Sequence, residues 1–371
     1  MATRSDLQAI ILVGGEGTRL RPLTYGTPKP MVPLLGVPFL ERTLYRLHEA
    51  GIDDVVLAAG YMPKAITEHL GDGSRLGMRL TYVIEASPLG TAGALRNVAE
   101  LIHGTFFVLN GDVLTSLDLR AMLACHREKG GVGVLHLIRV EDPSAFGCVV
   151  HDAAGRVTQF VEKPGRGEAP TDEVNAGTYL LERSVLDAIP PGRNVSIERE
   201  TFPRLLAADA ALYAYVTEDY WLDLGRPEHY IQAHRDVLAG KLRLAPSADP
   251  AASSGSLLSP DEGALHSTIR PPVYAGEGAT IDASAVVGPY TVLGERSHVG
   301  PEAEVRGSVL WDGVVVSGGA RVYDAILASN VRVGRGAVVE PGAVIGHDVE
   351  IDAGSIVEAN ARIAVVQPAE T

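Results

Sequence analysis

The chain has 371 residues, 46% of them hydrophobic and 21% charged, which suits two domains with ample cores and leaves little room for disorder. A formal net charge of −14 argues against broad nucleic-acid binding, because no basic surplus is available to neutralise a phosphate backbone. No apolar run reaches the roughly 18 residues of a membrane span, MATRSDLQAI lacks a signal-peptide core, and Cys125 and Cys148 are too few for a disulfide framework or metal cluster. A cytoplasmic protein is expected.

The first element is the apolar run Ala9-Ile10-Ile11-Leu12-Val13, a strand buried on both faces. It breaks into Gly14-Gly15-Glu16-Gly17-Thr18-Arg19, where glycines allow a tight turn and remove the Cβ atoms that would keep a ligand from the main-chain N–H groups. A structural turn beside a solvated basic patch is the plain alternative. The buried strand, three glycines, Thr-Arg and the later Lys29-Pro30 together favour a polyphosphate site. A P-loop needs Gly-Lys-Ser/Thr and finds Gly-Thr-Arg; the dinucleotide fingerprint needs a third glycine and finds Leu20.

Val37 to Gly51 reads as a helix closed by glycine, Asp54 to Ala59 as a strand, Pro63 to Leu70 as a helix and Leu80 to Glu85 as a strand. A loop, Ser87 to Gly93, leads into a helix ending near Leu101, and the strand Phe106 to Asn110 closes on Gly111-Asp112. Such alternation implies βαβ units and a parallel sheet, with ligands outside the C-terminal strand ends. The Gly14 loop, the Pro88 loop and Asn110-Gly111-Asp112 all fall at such ends. Further strands are expected at Val132 to Ile138, Gly147 to Val150, Val157 to Glu162, Val174 to Leu181 and Leu212 to Val216, with a short helix from Val185 and another over Glu228 to Ala239.

Leu242 to Leu265 has the Ala, Ser, Pro and Gly composition of a linker. Beyond it a six-residue repeat places apolar residues at Ile281, Val287, Leu293, Val299 and Val305, then, after slips that suggest five-residue steps, at Val316, Val322, Val333, Val339, Ile345, Ile351, Val357 and Ile363. Small residues follow several of them. This is the pattern of a parallel β-helix, each hexad forming one side of a triangular coil. The division expected is 1–240 for the first domain, 241–270 for the linker and 271–371 for the β-helix.

Asp112 and Asp223 each follow an apolar strand; alone each is a turn former, but facing one triphosphate they would hold Mg²⁺ with help from phosphate oxygens. Glu162-Lys163 places an acid and a base at a strand end, and only a bend would bring both to one ligand. Asn175 can satisfy sugar hydroxyls as donor and acceptor.

In order, GGEGTRLRPLT, PKP, PLGTAG, NGDV, FGCVV, FVEKP, VNAGTY and WLDLG resemble sugar-1-phosphate nucleotidylyltransferases, and among them the mannose-1-phosphate guanylyltransferases, which also tend to carry a left-handed β-helix. The likeness covers about Leu7 to Gly240, and the hexapeptide tail extends it. It implies a Rossmann-like α/β domain with a mixed, mainly parallel sheet, followed by that β-helix. It implies that Leu12, Gly14, Gly15, Gly17, Thr18 and Arg19 meet the nucleotide with Glu85, Pro88, Gly90 and Thr91 at the base. Asn110, Gly111, Gly147, Glu162, Lys163, Asn175 and Thr178 would meet the sugar phosphate, and Asp112 and Asp223 the metal. Arg19, Lys29, Asp112, Lys163 and Asp223 would carry the reaction. The implied substrates are a nucleoside triphosphate (GTP) and a hexose-1-phosphate, with no nucleic acid and no membrane, in a homo-oligomer built through the β-helix. Rivals are a thymidylyl- or uridylyltransferase on glucose-1-phosphate, a bifunctional acetyltransferase, against which His298 and His347 stand isolated, and a non-catalytic subunit that binds nucleotide sugar.

Overall fold

The apolar run after Leu7 takes the centre of a nine-stranded sheet in the computed structural model, which describes residues 7–244, 255–258 and 268–365. The chain divides into two compact units, one of residues 1–15 and 43–221, the other of residues 16–42 and 222–371. The sheet belongs to the first unit. Its strands are β1 (Gln8–Val13), β2 (Asp54–Ala59), β3 (Arg79–Ile84), β4 (Phe106–Asn110), β5 (Gly133–Arg139), β6 (Gly147–His151), β7 (Val157–Glu162), β8 (Glu173–Leu181) and β9 (Leu212–Thr217).

They lie in the order β7-β6-β8-β4-β1-β2-β3, with β5 also on β8 and β9 on β5. β3, β2, β1 and β4 are parallel, and β8 runs antiparallel beside β4, so the sheet is mixed. The chain builds outward from β1 through β2 to β3, then returns to the other side of β1 for β4. That reversal makes the C-terminal ends of β1 and β4 a topological switch point, where open α/β sheets bind ligands. Gly14 and Gly15, which follow β1, thus acquire a place before any side chain is considered: the end of β1 opens onto the crevice.

Helices α1 (Phe39–Ala50), α2 (Pro63–Leu70), α3 (Gly90–Asn97) and α4 (Leu119–Lys129) alternate with these strands along the chain. Leu95, Val98 and Ile102 pack with Ile10, Val56, Phe106 and Val108 in one core. α4 and the segment Ile197–Ala207, a π-helical turn running into a helix, are elements that the apolar spacing does not disclose. Their signals are caps: Asp118 accepts from the Arg120 and Ala121 N–H groups, and the Ser196 side chain accepts from the Arg199 N–H.

In the second unit the repeat forms stacked parallel sheets. Val287 stacks on Val305, Val305 on Val322, Val322 on Val339 and Val339 on Val357. Val287, Val299, Val305, Val316, Val322, Val333, Val339 and Ile345 are all fully buried inside the coils. The slips are real five-residue sides, Val305 to Leu310 and Val322 to Leu327, and the pairing stays in register because Leu310 still stacks on Leu327. Two of the three sheets have five strands each, so the solenoid has about five coils. The third sheet has seven, the additional first strand, Ser256–Leu258, pairing antiparallel with Val273–Ala275 inside the stretch expected to be a linker. Most of the remainder of that stretch, 245–254 and 259–267, lies outside the described residues.

The third sheet's outward residues, Val292, Val309, Ile326 and Val344, form an apolar stripe. Leu23, Val32 and Leu35 from the segment 16–42 and Tyr230, Ile231 and Leu238 from the helix Pro227–Leu238 cover it. Trp311 donates its indole N–H to the Tyr230 hydroxyl at 3.0 Å, Tyr230 donates in turn to the Pro33 carbonyl, and Arg235 pairs with Asp324.

Candidate active site

At the switch point Leu12 on β1 is paired with Asn110 on β4, and the Gly111 N–H donates to the Leu12 carbonyl at 3.0 Å. A Cβ on Gly111 would stand 2.7 Å from that oxygen and 2.8 Å from Val13 Cγ1, so only glycine lets the turn before Asp112 lie against the end of β1. Gly14 and Gly15 are exposed and present bare backbone. Beside them Gly60 approaches so closely that a Cβ there would be 3.1 Å from the Gly14 carbonyl.

At the end of β3 the Glu85 carboxylate accepts the Leu89 N–H at 3.1 Å, and the Pro88 carbonyl accepts from the Asn194 amide at 2.9 Å. Gly90 and Thr91 open α3 rather than extending the loop. Gly90 has φ +71°, with the Val195 carbonyl 2.6 Å from the place of its missing Cβ. The Thr91 hydroxyl donates to Glu198 at 2.9 Å and accepts the Ile197 N–H at 2.8 Å. Both therefore fasten α3 to residues 194–198, while Pro88 is exposed.

Across β4, a bulge in β8 between Asn175 and Tyr179 turns polar groups to one place. Thr178 is buried and paired with Leu109. Gly177, at φ +74°, leaves room for the Asn110 side chain, whose Nδ2 would be 2.6 Å from a Cβ there. The Asn175 side chain accepts the Gly177 N–H at 3.0 Å and donates to the Tyr179 hydroxyl at 2.7 Å, and that hydroxyl donates to Glu198 at 3.3 Å. Gly147 is paired with Glu162, and a Cβ on it would come within 2.7 Å of the Glu162 carboxylate.

The bend that Glu162 and Lys163 require is present. Lys163 has φ +49°, and its Nζ stands 3.9 Å from Glu162 Oε1. Burial raises the Glu162 pKa and the Glu198 charge adds to the rise, while Lys163 and Arg199 oppose it. Leu12, Gly14, Gly15, Glu85, Pro88, Gly90, Thr91, Asn110, Gly111, Asp112, Gly147, Glu162, Lys163, Asn175 and Thr178 thus all lie in the first unit.

Gly17, Thr18, Arg19, Lys29 and Asp223 lie in the second. Gly17 has φ +64° and starts a single turn, Thr18–Leu20; the Thr24 hydroxyl donates to its carbonyl at 2.9 Å. A Cβ on Gly17 would be 2.9 Å from Lys29 Cβ. Glu16 is exposed and pairs with Arg21 at 3.2 Å. Gly225 marks where Arg19 and Asp223 converge: a Cβ there would stand 2.5 Å from Asp223 Oδ1 and 2.6 Å from Arg19 Nη2. The Gly225 N–H donates to that same Asp223 oxygen, and His229 Nδ1 donates to the Asp223 carbonyl at 2.8 Å.

Sequence reasoning missed Glu198, Gly225 and His229. Gly225 stands in the WLDLG motif, and Ser196 is of a residue type that caps helix starts, but nothing local to His229 marks it. Among the described residues no group of three or more His, Cys, Asp or Glu is gathered for a metal. Asp112 in the first unit and Asp223 in the second each carry the hard carboxylate oxygens that suit a cation whose other ligands are phosphate oxygens. His298 meets Thr280 at 2.9 Å and His347 meets Thr27 at 3.2 Å, so each ring is engaged within the β-helix unit.

A parallel half-sheet ending in a glycine turn and a carboxylate, beside a strand offering amides and a Glu-Lys pair, defines an α/β protein that handles nucleotides. The chain belongs to the nucleotidyl transferase family: that family's model matches residues 8–240, and the model of the GMPPB C-terminal domain matches residues 269–367. It is 43% identical over 321 residues to a mannose-1-phosphate guanylyltransferase of Mycobacterium tuberculosis, covering 86% of this chain and 83% of that one. It is 32% identical over 380 residues to a UTP–glucose-1-phosphate uridylyltransferase of Synechocystis, covering 97% and 95%. The crystal structure of HddC from Yersinia pseudotuberculosis complexed with GMP-PN superposes with a TM-score of 0.54 at 29% identity, over 62% of this chain and 99% of that one. The protein is a nucleotidyltransferase, an enzyme class that generally uses a divalent metal. No helix among the described residues is long and apolar enough to cross a membrane.

Proposed function

We propose that the enzyme transfers the guanylyl group of GTP to mannose-1-phosphate, giving GDP-mannose and pyrophosphate. The observation that carries the reading is the switch point itself, where the bare backbone of Gly14-Gly15 and the Asn110-Gly111-Asp112 turn sit side by side at the ends of β1 and β4. The 43% identity to a mannose-1-phosphate guanylyltransferase supports the choice of substrates.

A phosphate oxygen of the sugar phosphate attacks the α-phosphorus, a P–O bond forms, and the bond to pyrophosphate breaks in line. The nucleophile is already anionic, so no general base is required. The chain's part is to position two like-charged reactants and offset their charge. Gly14, Gly15, Gly17 and Thr18 offer N–H groups to the triphosphate, and Arg19 and Lys29 balance it. Glu85 and Pro88 shape the edge of the base site. Lys163 holds the sugar phosphate, and Glu162, Asn175 and Asn110 meet hydroxyls. Asp112 and Asp223 would hold Mg²⁺, which supplies charge neutralisation between the phosphates when bound.

In this reading residues 1–240 act as the catalytic domain, 241–270 as a linker and 271–371 as the β-helix through which copies associate, in the cytoplasm. The test is a pyrophosphate-release matrix of the common nucleoside triphosphates against mannose-, glucose- and N-acetylglucosamine-1-phosphate. GTP with mannose-1-phosphate should give the highest kcat/KM. Preference for UTP with glucose-1-phosphate would install the second reading, which the Synechocystis relative favours.

A further inference from the structure

The chemistry above leaves unused a polar knot in the first unit that lies close in sequence to both aspartates. Ser116 is four residues after Asp112, and Tyr220 is three residues before Asp223. The Ser116 N–H donates to the Tyr220 carbonyl at 3.0 Å, and the Tyr220 N–H donates to Ser116 Oγ at 2.9 Å. The Ser116 hydroxyl donates to Asp219 Oδ1 at 3.2 Å. Two stretches a hundred residues apart in sequence are thereby tied through backbone and side chain at once.

The knot is held from behind. Arg46 on α1 donates to the Leu117 carbonyl at 2.8 Å, and its guanidinium is attracted by Asp219, although burial draws its pKa down to about 10. The Asp219 N–H donates to Thr217 Oγ1 at 3.4 Å, and that hydroxyl meets His136 Nε2 at 2.9 Å on β5. A desolvated guanidinium and a fully buried imidazole are poor choices for stability alone, since apolar residues of similar volume commonly serve as well or better. What such a network does supply is a fixed geometry.

We propose that Ser116, Asp219 and Arg46 are positioning residues that set Asp112, in the same unit, for a divalent cation, an inference that rests on the metal role assigned to that aspartate. A small cation such as Mg²⁺ demands near-ideal octahedral geometry, so its carboxylate ligands tolerate little drift. The four-residue step of chain from Asp112 to Ser116 allows such drift unless Ser116 is itself held. Partners that hold ligating carboxylates typically matter 10- to 100-fold, on the order of the ligands' own importance.

The experiment titrates Mn²⁺ into the full chain with a non-hydrolysable GTP analogue, read by electron paramagnetic resonance, alongside pyrophosphate release. Ser116 is exposed, so Ser116→Ala should fold. Its Mn²⁺ affinity and kcat should each fall about 10- to 100-fold, with the KM for sugar phosphate unchanged. Asp219→Ala should do the same, and Ser116→Thr, which keeps the hydroxyl, should restore both. Wild-type Mn²⁺ affinity in Ser116→Ala and Asp219→Ala would overturn the proposal, as would failure of Ser116→Thr to improve on Ser116→Ala. If the wild type itself released no pyrophosphate with any pair, the functional reading would fall, while the Mn²⁺ titration would still decide this one.

Discussion

Gly225 offers the sharpest test of the reading, because it is catalytic in neither chemistry nor contact and yet leaves no room for change. A Cβ there would stand 2.5 Å from Asp223 Oδ1 and 2.6 Å from Arg19 Nη2. Non-bonded heavy atoms settle at about 3.5 Å or more, so Gly225→Ala obliges the two side chains to retreat by roughly 1 Å. The backbone at Gly225 is not left-handed, so alanine fits its φ and the variant should fold. It should even gain about 0.5 kcal/mol from a less free unfolded chain, offset by the crowding. A misplacement of about 1 Å in catalytic groups costs on the order of 10²-fold in rate, equivalent to roughly 2.7 kcal/mol of transition-state stabilisation. The assay is pyrophosphate release with GTP and mannose-1-phosphate, with thermal unfolding measured in parallel. A folded Gly225→Ala enzyme with wild-type kcat and KM would refute the assignment of Arg19 and Asp223 to the reacting phosphates.

Two further outcomes follow from the same structure. Gly17→Ala places a Cβ at φ +64° and 2.9 Å from Lys29 Cβ, so it should destabilise the fold by about 1–2 kcal/mol in urea unfolding and raise the KM for GTP; unchanged values would remove Gly17 from the loop's geometry. His136 and His234 are buried and their pKa values are lowered to about 4, chiefly by desolvation, so unfolding lets them take up protons between pH 6.5 and 4. Their contribution to stability is intact above pH 6.5 and is lost as pH falls, by roughly 2 kcal/mol for each at pH 5. Urea unfolding at pH 7.5 and pH 5 checks this, and His136→Gln should flatten the dependence.

Much of this was legible in the residues because the signals are local. The strand Asp54–Ala59 and the helix Pro63–Leu70 follow from apolar spacing and punctuation alone. The inward positions of the β-helix follow from a period of six, since a solenoid buries whatever recurs, and even its five-residue sides show in the numbering. Helix α4 escaped because its apolar face is narrow and its clearest mark is the Asp118 cap.

Other features depend on which surfaces meet. Nothing near Leu23, Val32 or Leu35 indicates that they cover the outer stripe of Val292, Val309, Ile326 and Val344, yet an apolar stripe on a solenoid needs a cover. Glu198 gathers Thr91, Ser196 and Tyr179 only because the bulge in β8 and the turn of 197–201 bring them together. The sequence by itself determined the glycine turn, the alternating strands and helices and the coils, because backbone freedom and periodic burial are properties of neighbouring residues. The tertiary structure decided that Gly111 must lie against Leu12, that Gly225 must make way for Arg19 and Asp223, and that Ser116 is tied to Tyr220. Those are steric and hydrogen-bond demands between residues far apart in the chain, and no local pattern encodes them.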